Sequence, residues 1–557
     1  MINKIALGIH IGHDRGVAIV KNGIIVGQLA EERIDRLKHS NSPEIPKLSI
    51  NKLLTSLQIK TSEISVVGIS YTNVIIGNII TDLKLEIQDF LGHNDLPVYG
   101  VKHHESHAYS TYFTSPFYES VILVADGAGD IINGRVESES IYYGKKEKIE
   151  HIHTRLQDFG LTRTDRRNTY SPNYIDKIDA VKEISLGRKY EQLTYLIGFK
   201  HGQSGKTMGL ASYSEPLFKI DSPSFENYDF SLTYIKYIDE IKIQHEKSGI
   251  PWHIFLKQNT ASIASLVQSI IEKYTLKLLQ NIYAELKCPN LCLAGGLFLN
   301  CLLNHEILSK TKFENIHIIP AAGDDGQCVG NAFYVYKKFF GELAPKKLPT
   351  PYLGIEYTNQ EIEERLNYFN LEYTKLSDTA LFKKIAKEIS IGKNVGFLRG
   401  KSEMGPRALC HRSILADPRL ASKNKELNLI KGRELFRPFA PVVTAESQFV
   451  FFDLKQSSPY MLFATTVKKE WRKKLAAITH VDGTSRVQCV SEESESFVYK
   501  LLKEFEEITG FPILLNTSFN LAGEPIVESP HDAISTFLSS NLDILVLENY
   551  LIFHPNK

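Results

Sequence analysis

Two strand–turn–strand units, each with glycine in its turn, constrain the folds open to this chain of 557 residues. In the first unit the turn contains Asn22-Gly23, and in the second it is the glycine-rich stretch 126–130. Asn-Gly between two apolar runs favours a hairpin, because a type I′ turn needs positive φ at both central residues. The strand-like runs cover 5–10, 17–21 and 24–30 in the first unit, and 120–125 and 134–143 in the second. The repetition predicts a duplicated α/β core with a cleft between its halves.

Two strand-to-helix junctions follow. Apolar residues 291–294 lead into Gly295-Gly296 and a helical pattern, and residues 316–320 lead into the turn 323–326. Unpaired backbone N–H groups at the start of a helix attract anions, so such turns suit phosphate or metal sites. The string at 201–207 contains Gly-Lys-Thr and is similar to a P-loop. It lacks the first glycine of that motif and the strand that should precede it, so we interpret it as a ligand loop of another kind or a simple loop.

A proline-rich stretch divides the sequence. Residues 343–354 contain three prolines, which interrupt helices and strands alike. We predict an α/β domain over 1–345 and a second α/β domain over 355–557, where helices and strands alternate again. Residues 151–200 contain polar and basic stretches that we interpret as surface insertions.

Charge and cysteine usage exclude several classes of protein. The 65 basic and 64 acidic residues give a net charge of +1, which disfavours a general nucleic-acid or membrane-surface binder. The most apolar window, 64–80, is too polar for a membrane span. The six cysteines are scattered without a CxxC pair, and the first residues show no leader pattern. We expect a cytoplasmic protein with reduced thiols and with neither a nucleic-acid nor a membrane partner.

A histidine-rich string is a candidate metal site. His103 and His107 are spaced i, i+4 and would share one face of a helix, while His104 and His107 form a competing i, i+3 pair. Asp126 and Asp324, each in a glycine-containing turn, could complete a set of two histidines and two aspartates. Such mixed nitrogen and oxygen ligation suits Fe(II), Mn(II) or Zn(II). The alternatives are a surface histidine cluster and ordinary turn-forming aspartates.

His13-Asp14 lies in the turn of the first unit. A histidine there could act as a general base on a hydroxyl, because its pKa lies near neutral pH. The alternative is a solvated histidine beside an Asx turn, which the local pattern by itself favours.

The segment from Arg399 to Arg437 carries ten basic and four acidic residues, a local charge of +6 in an otherwise balanced chain. Such a field indicates a compact anion such as a phosphate. A solvated basic face or an RNA contact is the alternative, although no aromatic platform for RNA is interleaved. Farther on, Asn516 and Ser518 end a strand-like run and could face a nucleotide, or could simply form a strand-end turn.

Taken in order along the chain, these strings resemble the O-carbamoyltransferase family of nodulation proteins and antibiotic-tailoring enzymes. The resemblance runs nearly end to end. The strings that carry it are His13-Asp14, Glu31-Glu32-Arg33, His103 with His107, Asp126-Gly127, Gly205-Lys206-Thr207-Met208-Gly209-Leu210-Ala211, Gly295-Gly296 with Asn300, Gly405-Pro406-Arg407-Ala408, Arg412-Ser413-Ile414-Leu415-Ala416-Asp417-Pro418-Arg419, Phe436-Arg437-Pro438-Phe439-Ala440-Pro441, Asp482-Gly483-Thr484 with Arg486, and Asn516-Thr517-Ser518-Phe519-Asn520.

The resemblance implies an N-terminal actin-like (RNase H-like) ATPase domain and a C-terminal α/β domain similar to threonylcarbamoyl-adenylate synthase. It implies that carbamoyl phosphate and ATP, with Mg, give carbamoyl-adenylate in the C-terminal domain. The N-terminal domain, holding Fe(II) or another divalent metal such as Zn or Mn, then transfers the carbamoyl group to a small-molecule hydroxyl acceptor. The implied roles are a base at His13; metal ligands at His103, His107, Asp126 and Asp324; nucleotide contacts at Gly127, Ala128, Gly296, Asn300, Arg407, Asn516 and Ser518; and carbamoyl phosphate contacts at Lys431, Arg437 and Arg486.

The chain departs from the family pattern at two places. Cys410-His411 stands where the family usually has Gly-Asn, and Arg15 follows His13-Asp14 where small residues are usual. Three other functions compete: an actin-fold kinase or ATPase, a threonylcarbamoyl tRNA-modifying enzyme and a non-catalytic sensor. The acceptor stays open among a sugar, an antibiotic scaffold and a polysaccharide precursor, with its specificity expected in 151–200 and near Arg15. The oligomeric state is also open, with a homodimer allowed.

Overall fold

The computed structural model describes residues 4–71, 76–158, 183–233 and 236–556, apart from the side chains of residues 76–80. Residues 159–182 lie outside the described residues, and with them the basic stretch 163–167 and much of the segment expected to govern acceptor specificity. No helix in the described ranges combines the length and the apolar character needed to cross a bilayer.

The first sheet begins with the predicted hairpin. Asn22 and Gly23 adopt φ of 52° and 78°, the positive values that a type I′ turn requires. The strand order is β3-β2-β1-β5-β6, in which β1, β2 and β3 are antiparallel and β5 and β6 add in parallel, while β4 pairs with the end of β1. The strands are β1 Ile5–His13, β2 Gly16–Lys21, β3 Ile24–Ala30, β4 Asn41–Ser42, β5 Val66–Tyr71 and β6 Val98–Gly100.

The second sheet repeats this topology. Its order is β10-β9-β7-β13-β14, again three antiparallel strands followed by two parallel ones, with β8 pairing β9. The strands are β7 Glu119–Ala125, β8 Ile131–Ile132, β9 Arg135–Lys145, β10 Lys148–Gln157, β13 Asn290–Ala294 and β14 Asn315–Ile318. Two sheets with one connectivity form the duplicated actin-like fold, and the predicted duplication is confirmed.

Two helices, α4 (His103–Phe113) and α11 (Gln327–Phe340), pack in the core between the two sheets. They cross closely because α11 presents glycine at the contact: a Cβ on Gly330 would lie 1.8 Å from the Ser106 carbonyl oxygen. The crossing sets the position of the histidines on α4.

The remaining helices cover the sheets. Their bounds are α1 Glu32–Asp35, α2 Lys47–Ser56, α3 Ile76–Leu91, α5 Leu186–Leu196, α6 Ser204–Ala211, α7 Lys236–Ser248, α8 Trp252–Gln258, α9 Thr260–Leu286, α10 Cys301–Lys310, α12 Asn359–Tyr368, α13 Asp378–Ser390, α14 Ser422–Ile430, α15 Gln448–Phe451, α16 Ser496–Thr509 and α17 Pro530–Leu538. Short 3-10 helices cover Thr61–Glu63, Gly296–Leu299 and Asp324–Gly326. Residues 204–207 of the string rejected as a P-loop lie in α6, and the element before it is the helix α5, not a strand.

A third, mixed sheet forms the core of the C-terminal half. Its order is β15-β24-β23-β16-β17-β22-β18-β21. The strands are β15 Thr374–Lys375, β16 Val395–Leu398, β17 Arg412–Ala416, β18 Ala440–Thr444, β21 Gln488–Val490, β22 Ile513–Ser518, β23 Ile544–Leu547 and β24 Tyr550–Phe553. Small two-stranded sheets join β11 Phe225–Glu226 to β12 Asp229–Phe230, and β19 Ala464–Thr466 to β20 Thr484–Arg486.

Residues 341–358 contain neither helix nor extended strand, as the three prolines predict. The segment separates the two actin-like sheets from the third sheet. The two halves contact each other closely: Arg36 donates to the carbonyl oxygens of Ile526 and Pro525, at 2.7 and 3.1 Å. All six cysteines are buried and unbridged, as expected.

Candidate active sites

The first candidate site lies at the carboxyl ends of the strands, between the two actin-like sheets. His103 and His107 come from the first turns of α4 and are fully buried. Asp126 follows β7, and Asp324 begins a 3-10 helix after β14. Loops at strand ends converge at such a crevice, so four residues that are distant in sequence meet at one point.

The ligand atoms of the four side chains all lie within 4.8 Å of one another. Nε2 of His107 is 3.1 Å from Asp126 Oδ2 and 3.4 Å from Asp324 Oδ1. Nε2 of His103 is 3.5 and 3.3 Å from the same two oxygens. Two imidazoles and two carboxylates that converge in this way fit one divalent cation of the borderline class.

The electrostatics of the cluster fit a cation as well. Burial alone would lower the pKa of His103, but Asp324 and Asp126 outweigh it and raise that pKa well above its ordinary range. Burial would raise the pKa of Asp324, yet the two histidines hold it well below normal. Two ionised carboxylates buried side by side need compensating positive charge, which a metal ion would supply.

The competing pair of His104 and His107 does not form. His104 points to β9, where its Nδ1 lies 2.7 Å from Ser140 Oγ, and burial lowers its pKa well below the ordinary value. The i, i+4 spacing of His103 and His107 therefore describes the converging pair.

A second histidine cluster adjoins the first. Asp14 lies between two imidazoles: its carboxylate oxygens are 2.9 Å from His13 Nδ1 and 2.8 Å from His39 Nδ1. His13 Nδ1 is also 4.0 Å from Asp324 Oδ2. On its other side, His13 Nε2 is 3.2 Å from Nε2 of the exposed His201. His13 thus stands between the candidate metal ligands and solvent.

The proton affinity of His13 is high. Burial lowers its pKa, but Asp14 raises it more, with smaller contributions from Asp324 and Asp126, to about 9. A cation bound by Asp324 and Asp126 would offset the field of these two carboxylates. It would therefore favour the neutral imidazole that a general base requires.

The predicted nucleotide loops surround Asp126. Gly127 N donates to Asp126 Oδ1 at 2.6 Å, half-buried Ala128 follows it, and a Cβ on Gly296 would lie 3.2 Å from the same oxygen. A Cβ on Gly127 would meet nothing within 4 Å, so the backbone there borders open space. Asn300 caps α10 through Leu303 N and exchanges hydrogen bonds with Gln268, so its amide shapes the loop.

Eight of the ten cations in the basic segment divide into two groups. Four of its cations serve the C-terminal fold: Arg399 pairs with Asp378, Arg412 donates to backbone carbonyls, Arg419 pairs with Asp417, and Lys423 pairs with Glu426. Arg407, Lys431, Arg433 and Arg437 form the other group: each repels a neighbouring cation of the group or Arg486, in addition to its own hydrogen-bond or ion-pair partner. The charge of +6 therefore overstates the field available to an anion.

Arg407 joins the two halves. Its Nη2 donates to the carbonyl of Leu299, next to Asn300, at 3.1 Å. Burial and the neighbouring cation Arg486 lower its pKa to about 9. Buried Nε atoms of Arg407 and Arg486 have no hydrogen-bond partner among the described residues. Buried, unpaired guanidinium donors that repel each other suit an anionic ligand.

The strand-end residues face the same region. Lys431 Nζ hydrogen-bonds the carbonyl of Ser518, and lies 2.8 Å from the carbonyl of Asn520. Asn516 donates to the Ala408 carbonyl at 3.1 Å and to Gln488 Oε1 at 2.9 Å. Lys431 thereby holds the loop after β22, and Asn516 holds the Gly-Pro-Arg loop that carries Arg407.

Both departures from the family pattern have a structural account. Cys410 adopts φ of 83°, a left-handed conformation that favours glycine, so the backbone is strained there. The Arg15 side chain is held by residues 35–40: its Nε donates to Ser40 Oγ at 2.9 Å, and its Nη2 lies 3.3 Å from Asp35 Oδ2.

Comparisons with known proteins identify the family of this chain. The family model "Carbamoyltransferase N-terminus" matches residues 65–333, and "Carbamoyltransferase C-terminus" matches residues 386–554. Nodulation protein NolNO of Sinorhizobium fredii is 32% identical over 97% of this chain and 79% of its own length. This chain belongs to the carbamoyltransferase family. Nodulation protein NolO of Bradyrhizobium diazoefficiens is 34% identical over 81% of this chain and 78% of its own length, and uncharacterized protein sll1178 of Synechocystis sp. is 33% identical over 97% and 95%.

Sequence reasoning missed several residues that adjoin the candidate sites. His39 and His201 join His13 from separate loops, and Gln268 joins Asn300 from α9. No spacing links these positions, because each approaches from a different element.

Proposed function

We propose that this carbamoyltransferase forms carbamoyl-adenylate from ATP and carbamoyl phosphate in its C-terminal half. Its N-terminal half would then transfer the carbamoyl group to a hydroxyl of a sugar or natural-product acceptor. The observation that carries the proposal is the hydrogen bond from Arg407 to the carbonyl of Leu299. Arg407 belongs to the cation cluster, which we define as Arg407, Lys431, Arg433, Arg437 and Arg486. Leu299 lies beside the loop that borders the His/Asp cluster, which we define as His103, His107, Asp126 and Asp324. An anion receptor and a buried acidic cluster thus share one interface in one chain.

The adenylation chemistry suits the cation cluster. Water would cleave carbamoyl phosphate to carbamate and inorganic phosphate, and a carbamate oxygen would attack the α-phosphorus of ATP as pyrophosphate leaves. All these species are anions that repel one another, so their approach requires fixed positive charge. Arg407, Lys431, Arg437 and Arg486 would supply it, with Asn516 and Ser518 on the nucleotide. The mixed anhydride hydrolyses in water, which favours passage across the interface without release.

The transfer chemistry suits the N-terminal site. The acceptor oxygen would attack the carbamoyl carbon, AMP would leave, and His13 would take the hydroxyl proton. Gly127, Ala128, Gly296 and Asn300 would border the nucleotide. A divalent metal on His103, His107, Asp126 and Asp324, with Fe(II), Zn and Mn as candidates, would act as a Lewis acid on the carbonyl.

The decisive experiment measures pyrophosphate release from purified full-length protein with Mg-ATP and carbamoyl phosphate, without an acceptor. We expect release that depends on carbamoyl phosphate, accompanied by equal inorganic phosphate. Arg486→Ala should reduce it by roughly a hundredfold, because the lost donor faces developing charge. Arg365→Ala, on an exposed face of α12, is the matched control and should retain full release.

Two outcomes would contradict the proposal. ADP formation with no pyrophosphate would favour an actin-fold kinase or ATPase. Pyrophosphate release that depends on bicarbonate and threonine, and not on carbamoyl phosphate, would favour a threonylcarbamoyl-forming enzyme.

A further inference from the structure

Two imidazoles face each other on the solvent side of the His/Asp cluster. His13 is the last residue of β1, and His201 lies in the turn between α5 and α6. Their Nε2 atoms are 3.2 Å apart, and the planes of the two rings stand at 71° to each other. The side chain of His201 is 51% exposed, so ions in solution reach this pair directly.

The other nitrogen of each ring faces a carboxylate. His13 Nδ1 is 2.9 Å from Asp14 Oδ2, and His201 Nδ1 is 2.6 Å from Glu191 Oε1. A carboxylate accepts hydrogen bonds and does not donate them, so each Nδ1 carries a hydrogen. In the neutral imidazoles both Nε2 atoms are then acceptors that point at each other. Such a contact requires a positive group between the two nitrogens, which is either a proton or a metal cation.

Metal-binding histidines adopt the same arrangement. In such sites one ring nitrogen binds the metal while the other ring N–H donates to a carboxylate, which fixes the tautomer and raises the basicity of the ligand. Two imidazole nitrogens on one tetrahedral zinc ion, with Zn–N bonds of about 2.0–2.1 Å, lie about 3.3 Å apart. The separation of 3.2 Å between His13 and His201 matches that spacing. Asp14 and Glu191 also supply two negative charges, which balance a divalent cation.

His39 is placed to supply a third nitrogen. Its ring stacks on that of His13, with centroids 5.7 Å apart, and its Nδ1 is 2.8 Å from Asp14 Oδ1. Its Nε2 faces the turn that carries His201, since a Cβ on Gly202 would lie 2.8 Å from that nitrogen. All three histidines therefore turn Nδ1 to a carboxylate and Nε2 toward the turn 201–202. Rotation of the partly exposed His39 side chain would bring its Nε2 to the same ion.

We infer that His13, His201 and His39 form a second metal site, which takes a nitrogen-preferring divalent cation such as Zn(II). Magnesium prefers oxygen ligands, so the magnesium that accompanies ATP would not compete for it. With Nδ1 engaged by Asp14, Nε2 is the nitrogen of His13 left to take the acceptor's proton. A cation on Nε2 would therefore stop carbamoyl transfer and leave adenylation unaffected. This blocking effect rests on the proposed function, whereas the metal site itself does not.

Zinc bound per folded chain, measured by equilibrium dialysis against buffered Zn(II) and atomic emission, tests the site. We expect His201→Gln to bind one equivalent less than the unaltered protein, and the fold is not at risk because His201 is half exposed. His253→Gln, at an exposed position of α8, is the matched control and should bind as much as the unaltered protein. Equal zinc contents in all three proteins would overturn the inference and would mean that a proton bridges the pair. The difference between variants does not depend on whether the His/Asp cluster also binds zinc.

Glu191→Gln tests the role of the carboxylate behind His201. The change keeps all three imidazoles, so the same number of zinc ions should bind, but the affinity of this site should fall by roughly ten- to a hundredfold. Glu215→Gln, at an exposed position after α6, should leave the affinity unchanged. Equal affinities in the two variants would contradict the tautomer on which the site depends.

The blocking effect is tested by adding Zn(II) to the full-length protein. Zinc should inhibit carbamoyl transfer without slowing pyrophosphate release in the absence of acceptor, and His201→Gln should need at least roughly tenfold more zinc for the same inhibition. Equal inhibition of both proteins would place the inhibitory ion elsewhere and overturn the blocking effect. Absence of pyrophosphate release by the unaltered protein would instead defeat the proposed function, and the zinc content would still decide the metal site.

Discussion

Individual residues at the His/Asp cluster combine deep burial with unbalanced charge. His103 and His107 are fully buried, and Asp126 and Asp324 are largely so. Such a set is stable when a cation replaces the solvent that the carboxylates have lost. The neighbouring His104, one residue from His103, is equally buried, but it turns away from the two aspartates and its Nδ1 lies 2.7 Å from Ser140 Oγ.

This contrast yields a test of metal binding. His103→Ala should lose most bound divalent metal after loading and dialysis, because one of four ligands is gone. His104→Ala should retain it, although both changes remove a buried imidazole and cost similar packing. Metal content per folded protein, measured by atomic emission with circular dichroism as the folding check, decides the matter. Equal retention in both variants would mean that the four residues hold no metal.

The role proposed for His13 predicts a pH dependence. A base works in its neutral form, so transfer is suppressed below the pKa of His13 and rises with pH through it. That midpoint should lie between the ordinary 6.5 and the raised value of about 9, because a cation on Asp324 offsets part of the rise. Product formation at saturating acceptor, followed from about pH 6 to about pH 10, should therefore increase.

His13→Ala should lower transfer by roughly a hundredfold or more and abolish this ascending limb. Pyrophosphate release without acceptor should stay unchanged in the same variant, because that step belongs to the other half. A transfer rate that falls as pH rises through the same window would rule out His13 as the base.

Among the elements, the crossing of α4 and α11 sets the positions of His103 and His107. Gly330 makes the close approach possible, since a Cβ there would lie 1.8 Å from the Ser106 carbonyl oxygen. Gly330→Ala must force the helices apart, and we expect unfolding to become easier by about 1–3 kcal/mol. Metal affinity should fall in parallel, because both histidines move with α4.

Gly205→Ala provides the matched control within α6. A Cβ at Gly205 meets nothing within 4 Å, and alanine favours helix over glycine. The free energy of unfolding should stay the same or rise by up to about 1 kcal/mol. Urea denaturation midpoints compare the two variants, and equal destabilisation by both would show that the helix crossing tolerates a side chain.

For the molecule as a whole, function depends on the contact between its halves. Arg36 donates to the Ile526 and Pro525 carbonyls and lies 3.7 Å from Asp532, so one side chain of the N-terminal half makes three contacts with the C-terminal half. Arg36→Ala should weaken the contact by about 1–3 kcal/mol. Intermediate that escapes to water would hydrolyse, so pyrophosphate released per carbamoylated product should rise well above one.

The unaltered protein and Arg365→Ala should keep this ratio near one. A ratio that stays at one in Arg36→Ala, with both rates reduced alike, would show that the interface does not guard the intermediate.

The sequence by itself determined whatever depends on local pattern. Asn22-Gly23 specified a type I′ hairpin through its φ requirements, and the i, i+4 spacing of His103 and His107 placed both on one helical face. The ordered strings identified the family, which the comparisons confirm. The site roles and the domain boundary remain predictions.

Contacts between elements that are distant in sequence could not be predicted from local sequence patterns. His39 and His201 reach His13, and Lys206 reaches Glu434, only because separate loops fold together. The basic segment is a second example. The sequence count treats its ten basic residues as one source of positive charge, but in the folded chain Arg399, Arg412, Arg419 and Lys423 pair with local partners. Burial and distance determine which charges an anion meets, and both are properties of the folded chain.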